Sequence, residues 1–369
     1  MENVKVTVWL STYNQAPYVA QALDSILMQK TDFSYEIVAA DDCSTDGTQE
    51  IILEYQKRYP DRIVTYFTPE NIGGCKKLTN CIDLGLFRGD YLSYLEGDDY
   101  WLGEDRLQTL VDFLDSHREY SRISHRRKGI DENDADRGYD IPASVLNRPF
   151  TIEDFLAGKN YSDFGSVFRN YFKQAGGKYH PLLLASRNVC DFQDMFITQD
   201  FGPVFVTDQV FGVYRSRSVS GATNYNSITT QSARCRENIR LARAVESFYD
   251  ARYDLSPLVF RNQKRLLAEA VKVKNVKLWE EARAYVPETA VRAIVPELYY
   301  LAKRGRREEE ARFLKEILSP TEKRRLYPAL ARYSIKRFGW KLFGHRPEEQ
   351  LRGYIRREKK EKAHESTHD

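Results

Sequence analysis

The run Glu96-Gly97-Asp98-Asp99-Tyr100 places three carboxylates directly after residues 91–95, an apolar stretch that reads as a buried strand. Carboxylates leaving a strand end need a counter-charge. Mg²⁺ and Mn²⁺ take oxygen ligands, usually one or two carboxylates together with phosphate oxygens and water. The cluster therefore suits a metal-diphosphate site, with Glu96, Asp98 and Asp99 as its candidate ligands. A plainer reading is an acidic cap for the helix that follows, where Asp is favoured. One Asp would serve as a cap; the whole run exceeds that need.

The elements that must position these carboxylates follow from the apolar pattern. Residues 4–10 are a β-branched run, Ser11-Thr12-Tyr13-Asn14 is a polar turn, and Pro17 opens an amphipathic stretch to about residue 29. Proline suits a first helical turn, so the order is strand, loop, helix. Residues 35–40 repeat the pattern, ending in Asp41-Asp42-Cys43-Ser44-Thr45-Asp46-Gly47-Thr48, with a helix over 48–59. A strand over 62–67, a helix over 76–87, a strand over 91–95 and a helix over 105–116 complete the series. Strands alternating with helices of this length specify an α/β fold with a parallel sheet and right-handed crossovers. Ligands bind such sheets at the carboxyl ends of the strands. The polar clusters at residues 11–14, 41–48 and 96–99 all lie at such ends, so they converge on one crevice.

The crevice has neither GxGxxG nor GxxxxGK[ST], the backbone cradles of dinucleotides and ATP. A metal on the acidic cluster would neutralise a diphosphate instead. Tyr13 offers a ring for a base, and Asp41 or Asp42 could accept a hydrogen bond from a base or ribose. An Asx-turn and helix cap built on Ser44 or Asp46 would explain part of the second cluster without a ligand. Lys76 and Lys77 either reach a phosphate or lie on a solvated helix face.

Composition supports packed globular structure: 42% of the 369 residues are apolar, with 24 Tyr and 19 Phe, and the length predicts two domains. The five cysteines, Cys43, Cys75, Cys81, Cys190 and Cys235, are scattered with no CxxC pair, so neither a disulfide framework nor a zinc site is expected. No stretch approaches the length of a membrane span, and the N-terminus runs straight into a strand, so a cytoplasmic protein is expected. Net charge is +3, yet from Lys303 onward 20 Lys and Arg stand against 11 Asp and Glu, leaving an acidic body and a basic tail. Such asymmetry points to an anionic partner for the tail, a membrane surface or a nucleic acid. Residues 326–343 interleave aromatics with Arg and Lys, as an interfacial helix at the inner face of the cell membrane would, or as an amphipathic helix docked on the domain would.

Taken together, Ser11-Thr12-Tyr13-Asn14, residues 41–48, Asn71-Ile72-Gly73-Gly74 and Glu96-Gly97-Asp98-Asp99-Tyr100-Trp101 resemble the family 2 glycosyltransferases. That resemblance implies a GT-A-like, Rossmann-related, mostly parallel sheet over residues 1–225, followed by a helical region over 226–369. The first part divides into a nucleotide-sugar half, 1–120, and an acceptor half, 121–225. It implies an inverting transfer from a nucleotide-diphosphate sugar, a UDP-sugar, to a glycan or lipid-linked acceptor, with Mn²⁺ or Mg²⁺ on the diphosphate. Ser11, Tyr13 and Asp42 fall to the nucleoside pocket with Thr12, Asn14 and Asp41 beside them, and Asp98 and Asp99 to ribose, metal and diphosphate, with Lys77 near a phosphate. The segment from Asp163 to Arg169 looks like the family's acceptor-side strand. Asp191-Phe192-Gln193-Asp194 lies where the family places its base, Asp191 first and Asp194 second. Tyr214-Arg215 matches a further motif, with Arg217 where related sequences often carry His; an Arg fork there would bind diphosphate. The acidic run at residues 131–136 fails the calcium-loop pattern because Ala135 fills a ligand position.

Two other functions compete. A nucleotidyltransferase would want a glycine-rich basic loop near the N-terminus, and residues 11–18 contain neither Gly nor Lys. A non-catalytic protein binding nucleic acid or membrane through the tail is the second; no nucleic-acid motif accompanies it.

Overall fold

The computed structural model describes residues 4–131, 133–161, 164–188, 190–216 and 229–324. Arg217, Asp163 and the interfacial segment 326–343 lie outside these, as does the charged end of the tail. The chain divides into two units, Met1–Thr229 and Thr230–Asp369.

The first unit runs β1 (Val6–Thr12), α1 (Val19–Leu27), β2 (Tyr35–Asp41), α2 (Thr48–Arg58), β3 (Ile63–Phe67), α3 (Gly74–Asp83), β4 (Tyr91–Glu96), β5 (Tyr100–Trp101) and α4 (Arg106–Ser116). It continues with β6 (Arg122–Ile130), β7 (Asp136–Tyr139), β8 (Arg148–Phe150), α5 (Ile152–Leu156), β9 (Ser166–Arg169), α6 (Phe172–Ala175), α7 (His180–Leu183), α8 (Asp191–Gln199) and β10 (Val204–Arg215). The sheet order is β3-β2-β1-β4-β9-β6-β10-β5, with β7 on β6 and β8 on β10. Strands β1 to β4 pair parallel, as do β6 and β10; β9 is inserted antiparallel between β4 and β6. This is the α/β class expected, a GT-A-like and mostly parallel sheet flanked by helices, with a helical region after it.

Strand alternation sets the layers. Val6, Val8 and Leu10 of β1, Ile37 and Ala39 of β2 and Leu95 of β4 face a core shared with Val19, Leu23 and Ile26 of α1 and Leu107 and Leu110 of α4. The opposite pleat carries an aromatic layer: Trp9 meets Tyr94 edge-on at 5.1 Å, and Tyr94 meets Phe168 at 4.9 Å. Both pleats are buried, which is why these strands read as continuous apolar runs rather than alternating ones.

Strand register fixes where the polar ends fall. Ser11 lies opposite Ala40 and Glu96, and Thr12 opposite Asp41. The expected first strand ended at residue 10; the ladder carries on through Ser11 and Thr12. The third helix starts at Gly74 rather than residue 76, because Gly73, at φ 88°, turns the chain into it.

In the second unit, helices Gln231–Phe248, Ser256–Val273, Val276–Arg283, Glu288–Arg304 and Glu308–Ile317 bury Leu266, Leu267, Trp279, Ile294 and Leu314 among themselves. Thr230 and Asn275 cap two of them, accepting from the N–H groups of Ala233 and Leu278.

Leu10 is fully buried one residue before the site. Leu10→Ala should cost about 2–5 kcal/mol, read from the denaturation midpoint in urea, because the central strand cannot collapse onto the void.

Candidate active site

The end of β1 is tied to the end of β2 through Asp41. This fully buried carboxylate accepts from Thr12 Oγ1 at 2.7 Å, Ser44 N at 2.8 Å, Ser44 Oγ at 2.5 Å and Gln49 Nε2 at 2.6 Å. The next loop is held as firmly: Asn14, in the left-handed region at φ 51°, donates its N–H to Ser44 Oγ and accepts from Thr45 N. Gln15 N and Ala16 N donate to Thr48 Oγ1 and Asp46 Oδ2. Asp46 and Ser44 therefore do serve the turn, Asp46 accepting from Thr48 N at 3.1 Å, whereas α2 itself starts at Gly47, in the left-handed region, with no side-chain cap. Tyr13, between these anchors, leaves 36% of its surface exposed.

Asp42 turns to the other side, accepting from Thr68 Oγ1 at 3.1 Å, Ile72 N at 2.9 Å and Gly73 N at 2.9 Å. It shapes the Asn71-Ile72-Gly73-Gly74 loop. Lys77 does not lie on a solvated face: it is 2% exposed, and its ammonium donates to the Thr12 carbonyl at 2.9 Å. Burial lowers its pKa, opposed by Asp42 and Asp41.

The acidic cluster follows β4. Gly97 N donates to Ser11 O, and a side chain at Gly97 would meet Gln15 Oε1 at 2.6 Å and Thr12 Cγ2 at 2.7 Å, so glycine is required for the β1 loop to approach. β5 then pairs with β10 at Gly212 and Val213, which brings Arg215 to the cluster. Asp99 accepts from Arg127 Nη1 and from Arg215 N, both at 2.9 Å. Arg127 is itself oriented by Asp140 and lies over the Tyr214 ring. The Arg215 guanidinium reaches Asp98 O, Gln21 and Asp134 and stacks on Tyr18.

Lost solvation, then Asp98 and Asp99, raises the Glu96 carboxyl; lost solvation also raises Asp99, helped by Asp98 and opposed by Arg127. Such mutual repulsion is what a hard divalent cation relieves, and the donors are all oxygen. Among the described residues no group of three or more His, Cys, Asp or Glu is placed to hold a metal ion, so a cation here would take fewer than three protein carboxylates. The donor set fits a cation that completes its shell with phosphate oxygens and water.

On the opposite wall, α8 brings two carboxylates with different surroundings. Asp194 is 2% exposed and accepts from the guanidinium of fully buried Arg122 and from the Tyr171 hydroxyl. Asp191, the first residue of α8, is exposed and accepts from the backbone N–H of Phe192 at 3.0 Å. Desolvation by the surrounding protein nevertheless raises its carboxyl, opposed by the Phe192 N–H. It also lies near enough to raise Glu96.

The structure thus gathers Ser11, Thr12, Tyr13, Asn14, Asp41, Asp42, Lys77, Glu96, Asp98, Asp99 and Arg215 around the carboxyl ends of β1, β2, β4 and β10, with Asp191 near enough to act on Glu96. Arg127, Gln49, Arg122 and Tyr171 were not singled out by sequence. Arg127 sits in the run His125-Arg126-Arg127-Lys128, which carries no spacing signal.

Replacing Asp194 with Ala strands the Arg122 cation in the core and should destabilise the unit by about 3–5 kcal/mol. Asp191→Asn, at an exposed position, should leave the guanidinium-chloride midpoint nearly unchanged.

Residues 7–178 match the family model described as Glycosyl transferase family 2. An uncharacterized protein of Mycobacterium tuberculosis is 35% identical over 156 residues, 42% of this chain and 44% of that one. The putative glycosyltransferase EpsE of Bacillus subtilis is 34% identical over 128 residues, 35% of this chain and 45% of that one. The matched part thus spans less than half the length of these curated relatives. Among solved structures, residues 1–349 of Staphylococcus aureus TarS in complex with UDP-GlcNAc share the fold, with a TM-score of 0.56 over 85% of this chain and 91% of that one at 19% identity. Residues 7–178, which carry the carboxylates of β1 to β4, are thus the part of the chain that is similar to glycosyl transferase family 2.

Proposed function

We propose that this protein is an inverting glycosyltransferase, moving a sugar from a UDP-sugar to a hydroxyl of a glycan or lipid-linked acceptor, with Asp191 as the base. The observation that carries the proposal is the contrast on α8. Asp194 is consumed by Arg122 and Tyr171, whereas Asp191 is exposed, has its carboxyl raised, and lies near enough to Glu96 to raise it. The match to UDP-GlcNAc-bound TarS supports a uridine donor.

In this reading the nucleoside lies across the β1 and β2 loops, its base on the Tyr13 ring, bounded by Ser11, Thr12, Asn14, Asp41 and Asp42. Asp41, Asp42 and Lys77 act mainly by holding those loops in place. Glu96 and Asp98 would hold Mn²⁺ or Mg²⁺, while Asp99, fixed by Arg127 and the Arg215 backbone, keeps the cluster in position. The cation, when bound, stabilises the leaving nucleoside diphosphate as a Lewis acid. Arg215 adds positive charge to the same group; Arg217 lies outside the described residues. Asp191 accepts the proton of the acceptor hydroxyl as its oxygen attacks the anomeric carbon opposite the departing diphosphate, which inverts the centre.

A thermal-shift screen with UDP, GDP, CDP and dTDP, each with Mn²⁺ or EDTA, tests the donor. UDP at about 100 times its dissociation constant should add roughly 2.7 kcal/mol. Loss of that shift in EDTA and in Asp98→Asn is expected; no shift with any nucleotide overturns the reading. In a UDP-release assay, Asp191→Asn should lower turnover by about 10²–10⁴-fold while UDP binding persists. A base works only when deprotonated, so kcat/KM should rise with pH through the Asp191 pKa. That limb should lie above the ordinary carboxylate range and vanish in Asp191→Asn.

A further inference from the structure

Two loops that the family match leaves without a role beyond support run against each other beside the site. Arg187 Nη2 donates to both Asn71 O and Asn71 Oδ1 at 2.7 Å, and Arg187 O accepts from Cys75 N at 3.0 Å. Gly73 packs beneath Arg187 so closely that a Cβ there would lie 2.4 Å from Arg187 Cγ. Across this seam the Cys190 thiol donates to Cys75 Sγ at 2.7 Å, although the residues are 115 positions apart. Cys75 lies in the first turn of α3, and Cys190 immediately precedes α8 and Asp191. Among the described residues these are the cysteines brought into sulfur-sulfur contact.

We propose that Cys75 and Cys190 form a reversible disulfide that pins the start of α8, and with it Asp191, to the start of α3. The hydrogen bonds between the 71–75 and 187–190 segments hold the thiols opposed independently of any bond between them. A peroxide is a sufficient oxidant. One thiolate attacks the O–O bond and expels hydroxide, giving a sulfenic acid. The second thiol then attacks that sulfur and water leaves, so two thiols and one hydrogen peroxide give one disulfide and two waters. Cys190 sits at a helix N-terminus, where the dipole favours a thiolate. Against this, the S–H···S contact and burial push the Cys190 thiol up. The pair is therefore a slowly closing staple, with half-buried Cys190 the sulfur open to the oxidant and buried Cys75 the one that resolves it. In a reducing compartment such a bond is transient and regulatory rather than structural.

The effect on transfer rests on the assignment of Asp191 as base; the linkage itself does not. The full-length protein would be treated with hydrogen peroxide, alkylated in denaturant, and analysed by thiol titration and peptide mass mapping. The expected result is a Cys75–Cys190 linked peptide, reversed by dithiothreitol. Closing so long a loop should raise Tm by roughly 5 °C or more. UDP release should fall severalfold on oxidation and recover on reduction, with UDP affinity unchanged. Cys75→Ser and Cys190→Ala should keep their transfer activity under the same peroxide dose. Absence of the linked peptide overturns the proposal. Equal inhibition of both variants overturns the control of Asp191 and assigns the loss to another oxidised group. If the reduced protein transfers no sugar at all, the assignment of Asp191 fails while the mapped peptide still decides the linkage.

Discussion

The whole site hangs on one buried carboxylate. Asp41 is removed from water at the carboxyl end of β2, where an unsatisfied charge would cost several kcal/mol. It is tolerated because Thr12 of β1, both the N–H and the hydroxyl of Ser44, and Gln49 of α2 all converge on it. Hydrogen bonds to a charged acceptor contribute more than neutral ones, so the arrangement binds strand, loop and helix into a rigid unit. The left-handed turn at Asn14 and the placement of Tyr13 follow from that anchor, because Ser44, which Asp41 holds, accepts from Asn14 N.

The same reasoning sorts the remaining carboxylates. Asp42 is filled by the 72–73 backbone, Asp99 by Arg127 and the Arg215 N–H, and Asp194 by Arg122 and Tyr171. Their charges are already balanced, and their work is to fix geometry. Glu96 and Asp191 differ: no protein cation is paired with either among the described residues, although Asp99 shares with them a carboxyl raised by burial. Groups held away from their ordinary ionisation, in a crevice and near one another, are where chemistry is expected.

How much of this the sequence disclosed depends on the range of the interaction. The positions of Ser11, Asp41 and Glu96 at strand ends were legible because alternating strands and helices dictate a parallel sheet, and register then aligns the ends. The roles within the cluster were not. Nothing near Asp99 in the chain announces Arg127, and Arg215 is 116 residues away. Lys76 and Lys77 look alike in sequence; only helix phase around α3 sends Lys77 inward to the Thr12 carbonyl while Lys76 stays exposed. Cys75 and Cys190 read as unrelated small apolar residues, since the seam that opposes them is built by Arg187 and Gly73 rather than by any cysteine spacing.

The position of Asp191 at the first residue of α8 sets two effects against each other. A helix N-terminus stabilises a carboxylate by about 0.3–1 kcal/mol, less than one pKa unit, and the Phe192 N–H acts in the same direction. Desolvation acts oppositely and is the larger effect, with Asp194 one turn along the helix adding to it. The net result is a carboxylate more basic than a free Asp, yet still deprotonated once the solution is above its raised pKa. Had Arg122 paired with Asp191 instead of Asp194, that basicity would be gone. The buried Arg122–Asp194 pair thus does more than anchor α8 to β6: by consuming the guanidinium inside the core, it leaves exposed Asp191 without a paired cation among the described residues.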